Sequence, residues 1–343
     1  MSKKPEIDLR SDTVTKPTEA MLDAMFHAEV GDDVFEEDPS IQELEKKAAE
    51  IFSKEGALFV PSGTMANQIA IKVLTQPQDE IICDKLAHIY YYEAGGVAFN
   101  SGVSMRFAEG NRGRISAEQI LDNINDPSNV YSSPTTLVSI ENTCNKGGGS
   151  FYTYHEMVSI SETCKNNNLK SHLDGARIFN ALTETKDSPN EVGKLFDTLS
   201  FCLSKGLGAP VGSVLVSSKE NIQKAKRIRK AWGGGMRQAG YLAAAGLYAL
   251  DHHIIRLKED HERAKKIGSM LLTQTYVESI LPVETNIVVC SLKSDVDLRA
   301  FLSHLAARNI KAVAFGKQTF RMVTHLDVHD WMLDEIESAL KKF

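Results

Sequence analysis

The chain has 343 residues, 42% hydrophobic and 24% charged, with a formal net charge of −6. This is a soluble globular profile, long enough for one large core plus a smaller second domain. The negative balance argues against a general affinity for nucleic acid or an acidic membrane surface.

The opening "MSKKPEIDLRSD" carries no apolar signal-peptide stretch, and no run reaches membrane-spanning length, so the cytoplasm is the expected compartment. A helix is predicted from about Thr18, its N-cap, with Met21, Leu22 and Met25 on the apolar face. A second is predicted over Pro39–Phe52. Strands and helices then alternate: "GALFV" as strand, "GTMANQIAIKVL" as helix after the turn "PSG", then "DEIICD" and "TTLVSIEN" as strands. The glycine loop "NKGGGS" leads to the helix "YHEMVSISETCKNNN", a strand ending near Asp174 in "KSHLDGAR", and the strands "FDTLSFCLSK" and "GSVLVSS". Such alternation predicts an α/β sheet with helices on both faces. From "AAAGLYALDHH" a long helical stretch joins a compact α+β unit. The expected divisions are an arm over 1–20, a large domain over 21–250 and a small domain over 251–343.

Five cysteines form no CxxC pair, which argues against a disulfide framework or a structural zinc site. The basic run Lys224–Lys230 reads as a solvated helix face. "LDHHIIRLKEDHER" is rich in ligand-type residues, but His253 and His261 are spaced too widely for an HExxH-type pair, so an exposed charged helix is expected and no metal site is assigned. No Walker A pattern or GxGxxG fingerprint supports nucleotide binding.

The segment "CLSKGLGAPVGS" places Lys205 at a strand end, before a turn set by Gly206, Gly208, Pro210 and Gly212. A neutral lysine amine attacks aldehydes, and pyridoxal phosphate is the obvious aldehyde in biology. Such a site needs an acid for the pyridine nitrogen, donors for the phosphate and a planar group against the ring. Asp174 at a strand end, Ser62, Gly63 and Thr64 at a helix start, and His88 are the candidates.

The motifs "DLRSDTVTKPT", "VGDDVFEEDP", "LFVPSGTMAN", "HIYYYEAGG", "HLDGARIFNA", "SFCLSKGLGAPVGS" and "GGGMRQAG" occur in that order along the whole chain. In this the chain resembles the threonine aldolase family, in the β-eliminating-lyase branch of the aspartate-aminotransferase-like (fold type I) pyridoxal phosphate enzymes. The resemblance implies a large α/β domain with a mostly parallel sheet and a small C-terminal α+β domain. It implies retro-aldol cleavage of L-threonine or L-allo-threonine to glycine and acetaldehyde. The alternatives are β-elimination, or aldol cleavage of a bulkier β-hydroxy amino acid such as phenylserine.

The resemblance also implies roles for individual residues. Lys205 holds pyridoxal 5'-phosphate, Asp174 pairs with its ring nitrogen, and His88 stacks on the ring and serves as base. Gly63 and Thr64 cup the phosphate. Arg177 stands beside the phenolic oxygen and the substrate carboxylate. Ser11 and Arg321 clamp that carboxylate, and Glu93 lies near the histidine. Arg229 reaches a cofactor phosphate from a neighbouring subunit, in a homotetramer of tight dimers with sites at the interface. Tyr131 falls where many low-specificity members carry a histidine near the substrate hydroxyl. Phe35 and Glu36 replace a common Tyr-Gly, and Cys144 a frequent histidine; all these departures are expected near the substrate side chain.

Overall fold

The structure is a computed structural model that describes residues 6–343. Its strands in chain order are β1 (Ile7–Asp8), β2 (Gly56–Val60), β3 (Glu80–Asp84), β4 (Ser104–Ala108), β5 (Thr135–Glu141), β6 (Lys170–Asp174) and β7 (Thr198–Cys202). They continue as β8 (Ser213–Ser217), β9 (Val277–Ile280), β10 (Ile287–Leu292), β11 (Ile310–Lys311), β12 (Val313–Ala314) and β13 (Thr319–Val323).

Seven strands form the main sheet in the order β2-β8-β7-β6-β5-β3-β4. Strands β7, β6, β5, β3 and β4 run parallel, and β8 is antiparallel to both its neighbours. Strands β3, β7 and β8 are buried along their whole length, as expected of a sheet covered by helices on both faces. Strand β4, with exposed Ser104 and Phe107 at the sheet edge, lacks the buried apolar run that announces the others in the sequence.

The parallel ladder aligns the chemistry. Glu141 is paired in register with Asp174, and Asp174 with Ser200, so the carboxyl ends of β5, β6 and β7 lie side by side. Ligands of open α/β sheets gather at that edge. The helix Gly63–Leu74 starts there with Ser62 as N-cap, its hydroxyl accepting from the Met65 N–H. Inside, Phe52, Phe179 and Phe201 pack ring against ring at 5.4–5.7 Å between centroids.

The expected long helix breaks in two, Gly240–His252 and Leu257–Leu272. At the break His253 Nδ1 meets the Leu207 carbonyl at 2.7 Å, a long-range bond that no local sequence signal announces. The second of these helices contributes Leu257 to the large core and Ala264, Ile267 and Leu271 to a separate core built on β10, β13 and the helices Leu298–Ala306 and Asp330–Lys341. The change of core therefore falls inside this helix. The described part of the N-terminal arm belongs to the second core. Its Leu9 N–H bonds the Lys311 carbonyl, the Val323 N–H bonds the Leu9 carbonyl, and Ile7 and Leu9 are buried. All five cysteines are free and buried. Among the described residues no helix is long and apolar enough to cross a membrane.

Candidate active site

Asp174, 2% exposed, stands at the end of β6. Its Oδ2 accepts from Asn67 Nδ2 at 2.8 Å and its Oδ1 from the Ala176 N–H at 3.1 Å. The same Asn67 amide donates to Glu93 Oε1 at 2.8 Å, while Asn67 Oδ1 faces Ser200 Oγ at 2.7 Å and His172 Nε2 at 3.1 Å. The amide oxygen only accepts, so His172 carries its proton on Nε2. Burial pushes His172 down to about 4 despite nearby Asp174, so the ring is neutral at pH 7. Glu93 is held on its other oxygen by Gln68 Nε2 at 2.6 Å, and it meets His88 Nδ1 at 2.9 Å.

His88 opens the short helix His88–Tyr91, and its own N–H donates to Glu141 Oε2 at 3.1 Å. Burial opposes a charge on the imidazole, but the hydrogen bond to Glu93 and the fields of Asp174 and Glu141 outweigh it and raise its pKa. With Nδ1 turned to Glu93, Nε2 is the nitrogen left to exchange protons. Burial and the charge of Asp174 push the buried Glu141 up to about 7. Its Oε1 takes the Asn145 N–H at 2.9 Å, so one carboxyl anchors both the His88 turn and the Asn145 loop.

Lys205 lies three residues beyond the end of β7, half-buried, and among the described residues nothing accepts a hydrogen bond from its amine. The Gly63 and Thr64 N–H groups at the start of Gly63–Leu74 likewise have no acceptor, which leaves an N-terminal helix turn able to hold an anion. Glycine is favoured at 63, because a Cβ there would stand 2.8 Å from Cys202 Sγ and force it to shift.

Arg177 is buried and makes a two-pronged pair with Asp12, Nε to Oδ2 and Nη2 to Oδ1, each 2.7 Å. Burial opposes the Asp12 charge, but Arg177 and then Lys205 override it and hold the carboxyl well below the usual range. Ser11, next in the chain, caps the turn Asp12–Val14 by accepting from the Thr13 N–H, and its hydroxyl hydrogen stays available. Arg321, on β13, reaches Asn145 Oδ1 at 2.7 Å and the Arg10 carbonyl at 2.9 Å. Its Nε is buried with no acceptor, a donor suited to a carboxylate. Burial and the neighbouring Arg177 lower Arg321 to about 10, a field that favours an anion.

These groups fit pyridoxal phosphate. They offer a free amine, a buried acid, an open helix N-terminus, a histidine ring and an orphaned guanidinium N–H. The structure thus brings together Lys205, Asp174, His88, Glu93, Gly63, Thr64, Arg177, Arg321 and Ser11. It adds Asn67, Gln68, Glu141, Asp12 and Asn145, which the sequence reading passed over. Asn67 was within reach: it lies in "PSGTMAN", one helical turn beyond Gly63 on the same helix.

Two expected residues lie elsewhere. Tyr131 is 96% exposed on the loop before β5, at its amino end. The seven residues of β5 put about 20 Å of strand between that loop and Glu141. Within one subunit Tyr131 therefore does not join the substrate site. Arg229 does not reach outward either. It is buried, with Nη2 on Asp33 at 2.8 Å and Nη1 on the Phe59 carbonyl at 2.7 Å. A reach into a neighbouring subunit would break both contacts; the outward arginine nearby is Arg237, half exposed beside Asp32. Phe35 and Glu36 sit with that surface, near Arg237 and Lys226 respectively. Cys144 lies closer to the site, with its Sγ on the Glu141 carbonyl at 3.0 Å. The helix expected to be exposed around residue 260 buries Asp260 and His261, which bond Arg256 and Glu184. Among the described residues the one metal-like grouping is His88, Glu93 and Asp174, in which Glu93 already meets Asn67, Gln68 and His88.

The family described as "Beta-eliminating lyase" matches residues 8–294. The low specificity L-threonine aldolase of Escherichia coli (strain K12) is 38% identical over 338 residues, covering 98% of this chain and 99% of that one. The low-specificity L-threonine aldolase of Candida albicans is 40% identical over 338 residues, covering 97% and 88%. A solved Leishmania major threonine aldolase superposes with a TM-score of 0.85 at 20% identity, covering 98% and 99%, which establishes the fold. With a buried acid, a free lysine and an open helix N-terminus meeting at the strand ends of that fold, the chain belongs to the threonine aldolases of the beta-eliminating lyase family.

Proposed function

We propose that the protein is a pyridoxal phosphate-dependent lyase that cleaves L-threonine and L-allo-threonine between Cα and Cβ, giving glycine and acetaldehyde. The observation that carries this is the convergence of Lys205, Asp174, His88 and Arg321 on one edge of the sheet, with free donors at Lys205, Gly63, Thr64 and Arg321. Lys205 would hold the cofactor aldehyde, Asp174 its ring nitrogen and the Gly63 and Thr64 N–H groups its phosphate. His88 would cover one ring face. The cofactor, when bound, supplies an electron sink for the pair released from the breaking bond.

The chain's own residues select that bond. The orphaned Arg321 Nε–H and the Ser11 hydroxyl fix the substrate carboxylate, with the Arg177 guanidinium behind them. Asp12 holds Arg177 in one rotamer, so the clamp is rigid before substrate arrives. His88 Nε2 takes the β-hydroxyl proton, and Glu93 at Nδ1 stabilises the imidazolium that forms. One proton leaves the β-hydroxyl and one is gained at Cα, so no redox partner is needed.

Each subunit also exposes Tyr90, Tyr91, Phe99 and Phe107 near the His88 helix, an apolar surface that supports a homo-oligomer with its sites near subunit contacts. Five unpaired, buried thiols support a reducing compartment, the cytoplasm.

The test is near-visible absorption of the holoenzyme and of Lys205→Ala, followed by product analysis with both threonines. A cofactor band lost in the variant, with acetaldehyde and glycine from wild type, is expected. 2-Oxobutanoate and ammonia would instead make it a β-eliminating enzyme, and absence of any band would remove Lys205 from its role.

A further inference from the structure

Lys146 follows Asn145 in the loop after β5. Its Nζ stands 4.2 Å from the centroid of the Tyr91 ring, 5.8 Å from Tyr92 and 5.4 Å from Phe315. Two of these rings also border the active site: Tyr92 lies 5.3 Å from the His88 ring, and Phe315 5.0 Å from the Arg321 guanidinium. The residue before Lys146 is anchored on both sides of the site, its N–H on Glu141 and its side-chain oxygen on Arg321.

Three aromatic faces hold the ammonium by cation–π attraction, and among the described residues no carboxylate pairs with it. Lys146 and Arg321 thus share the Phe315 ring as two cations without an acid between them. Each stands 5.4 Å or less from that ring centroid, so an anion held beside the ring is attracted by both. The substrate α-carboxylate can satisfy Arg321. A second cation is left over, on the side of the site bounded by His88 and Tyr92, where the proposed base meets the β-carbon.

We propose that Lys146 recognises an anionic group carried on the substrate β-carbon, so that the site accepts β-hydroxy-α-amino acids bearing a β-carboxylate as well as threonine. This rests on the aldolase reading above and names a substrate class for the same site. With L-threo-3-hydroxyaspartate the Cα–Cβ bond breaks, the β-hydroxyl proton passes to His88, and Cα gains a proton. The products are glycine and glyoxylate, and atoms and electrons balance without an added oxidant.

The experiment compares kcat/KM for glyoxylate release from L-threo-3-hydroxyaspartate with that for acetaldehyde release from L-threonine, in holoenzyme of wild type, Lys146→Met and Lys146→Arg. The ratio of hydroxyaspartate to threonine should fall about two- to fivefold in Lys146→Met, the scale of one partly exposed ion pair, and largely recover in Lys146→Arg. An unchanged ratio in Lys146→Met overturns the proposal, as does wild type that cleaves threonine but not hydroxyaspartate. Failure on threonine itself would count against the aldolase reading instead. Should Lys146→Met not fold, wild type decides alone. Raising salt from about 0.05 to about 0.5 M should weaken hydroxyaspartate turnover several-fold relative to threonine, and a parallel response overturns the proposal.

Discussion

Replacing Asn67 with alanine should both destabilise and disarm the protein. Asn67 is 2% exposed, and its one amide satisfies four buried groups: Glu93 and Asp174 as acceptors, and Ser200 and His172 as donors, at 2.7–3.1 Å. Removing it takes one donor from each of two carboxylates and strands a hydroxyl and an imidazole N–H. A buried group left unpaired costs about 1–3 kcal/mol, and more when charged. Water entering the vacated space would offset part of this, because the site is polar. The expected loss is about 3–5 kcal/mol of unfolding free energy, read by urea denaturation with unchanged m-value. Cofactor affinity, read by titrating the near-visible band, should fall as well, because Asp174 and Glu93 lose the common donor that sets their spacing. Loss of less than about 1 kcal/mol with normal cofactor affinity would show that the amide bridges nothing of consequence, and the network argument would fail.

Two further outcomes follow from the same geometry. Glu141 is pushed up to about 7 from the ordinary glutamate value of 4.5, so the folded state binds the extra proton between those values. Its contribution to stability is therefore complete below about pH 4.5 and disappears as pH rises toward 7, by about 3 kcal/mol; in Glu141→Gln urea denaturation from pH 5 to 8 should lack this slope, and an identical profile would contradict it. Gly63→Ala would press its new Cβ to 2.8 Å from Cys202 Sγ, an overpacking that costs about 1–3 kcal/mol and shifts the N–H groups assigned to the phosphate. Cofactor binding should weaken in the single variant and recover in Gly63→Ala/Cys202→Ala, and failure of the second change to rescue the first would place the damage elsewhere.

Much of this was legible in the chain. Short apolar runs such as "EIICD" and "SVLVS", rich in β-branched residues, read as strands of a covered sheet and are buried strands in the structure, and the glycines after Lys205 argue against a regular element there. Asp174 and Lys205 stood out because each ends such a run. The N-cap hydroxyls of Thr18 and Ser62 accept from the backbone N–H three residues on, a purely local interaction. Strand β4 and the break at His253 were not legible, since one depends on being a sheet edge and the other on a carbonyl 46 residues away in sequence.

The sequence by itself determined the class of fold and pointed to the cofactor, because residue types at strand ends and helix starts, and the order of the motifs, are read along the chain. Tertiary structure decided how those residues are held. Asp12 and Arg177 are 165 positions apart, and Asn67 and Asp174 are 107 apart. It also decided where Arg229 and Tyr131 go. Arg229 turns inward because Asp33 and the Phe59 carbonyl satisfy its charge there, and Tyr131 lies at the amino end of β5 because the strand's length separates it from the site. Periodicity reports which face is buried, but which distant polar group meets a buried charge is fixed only when the sheet brings them to one edge.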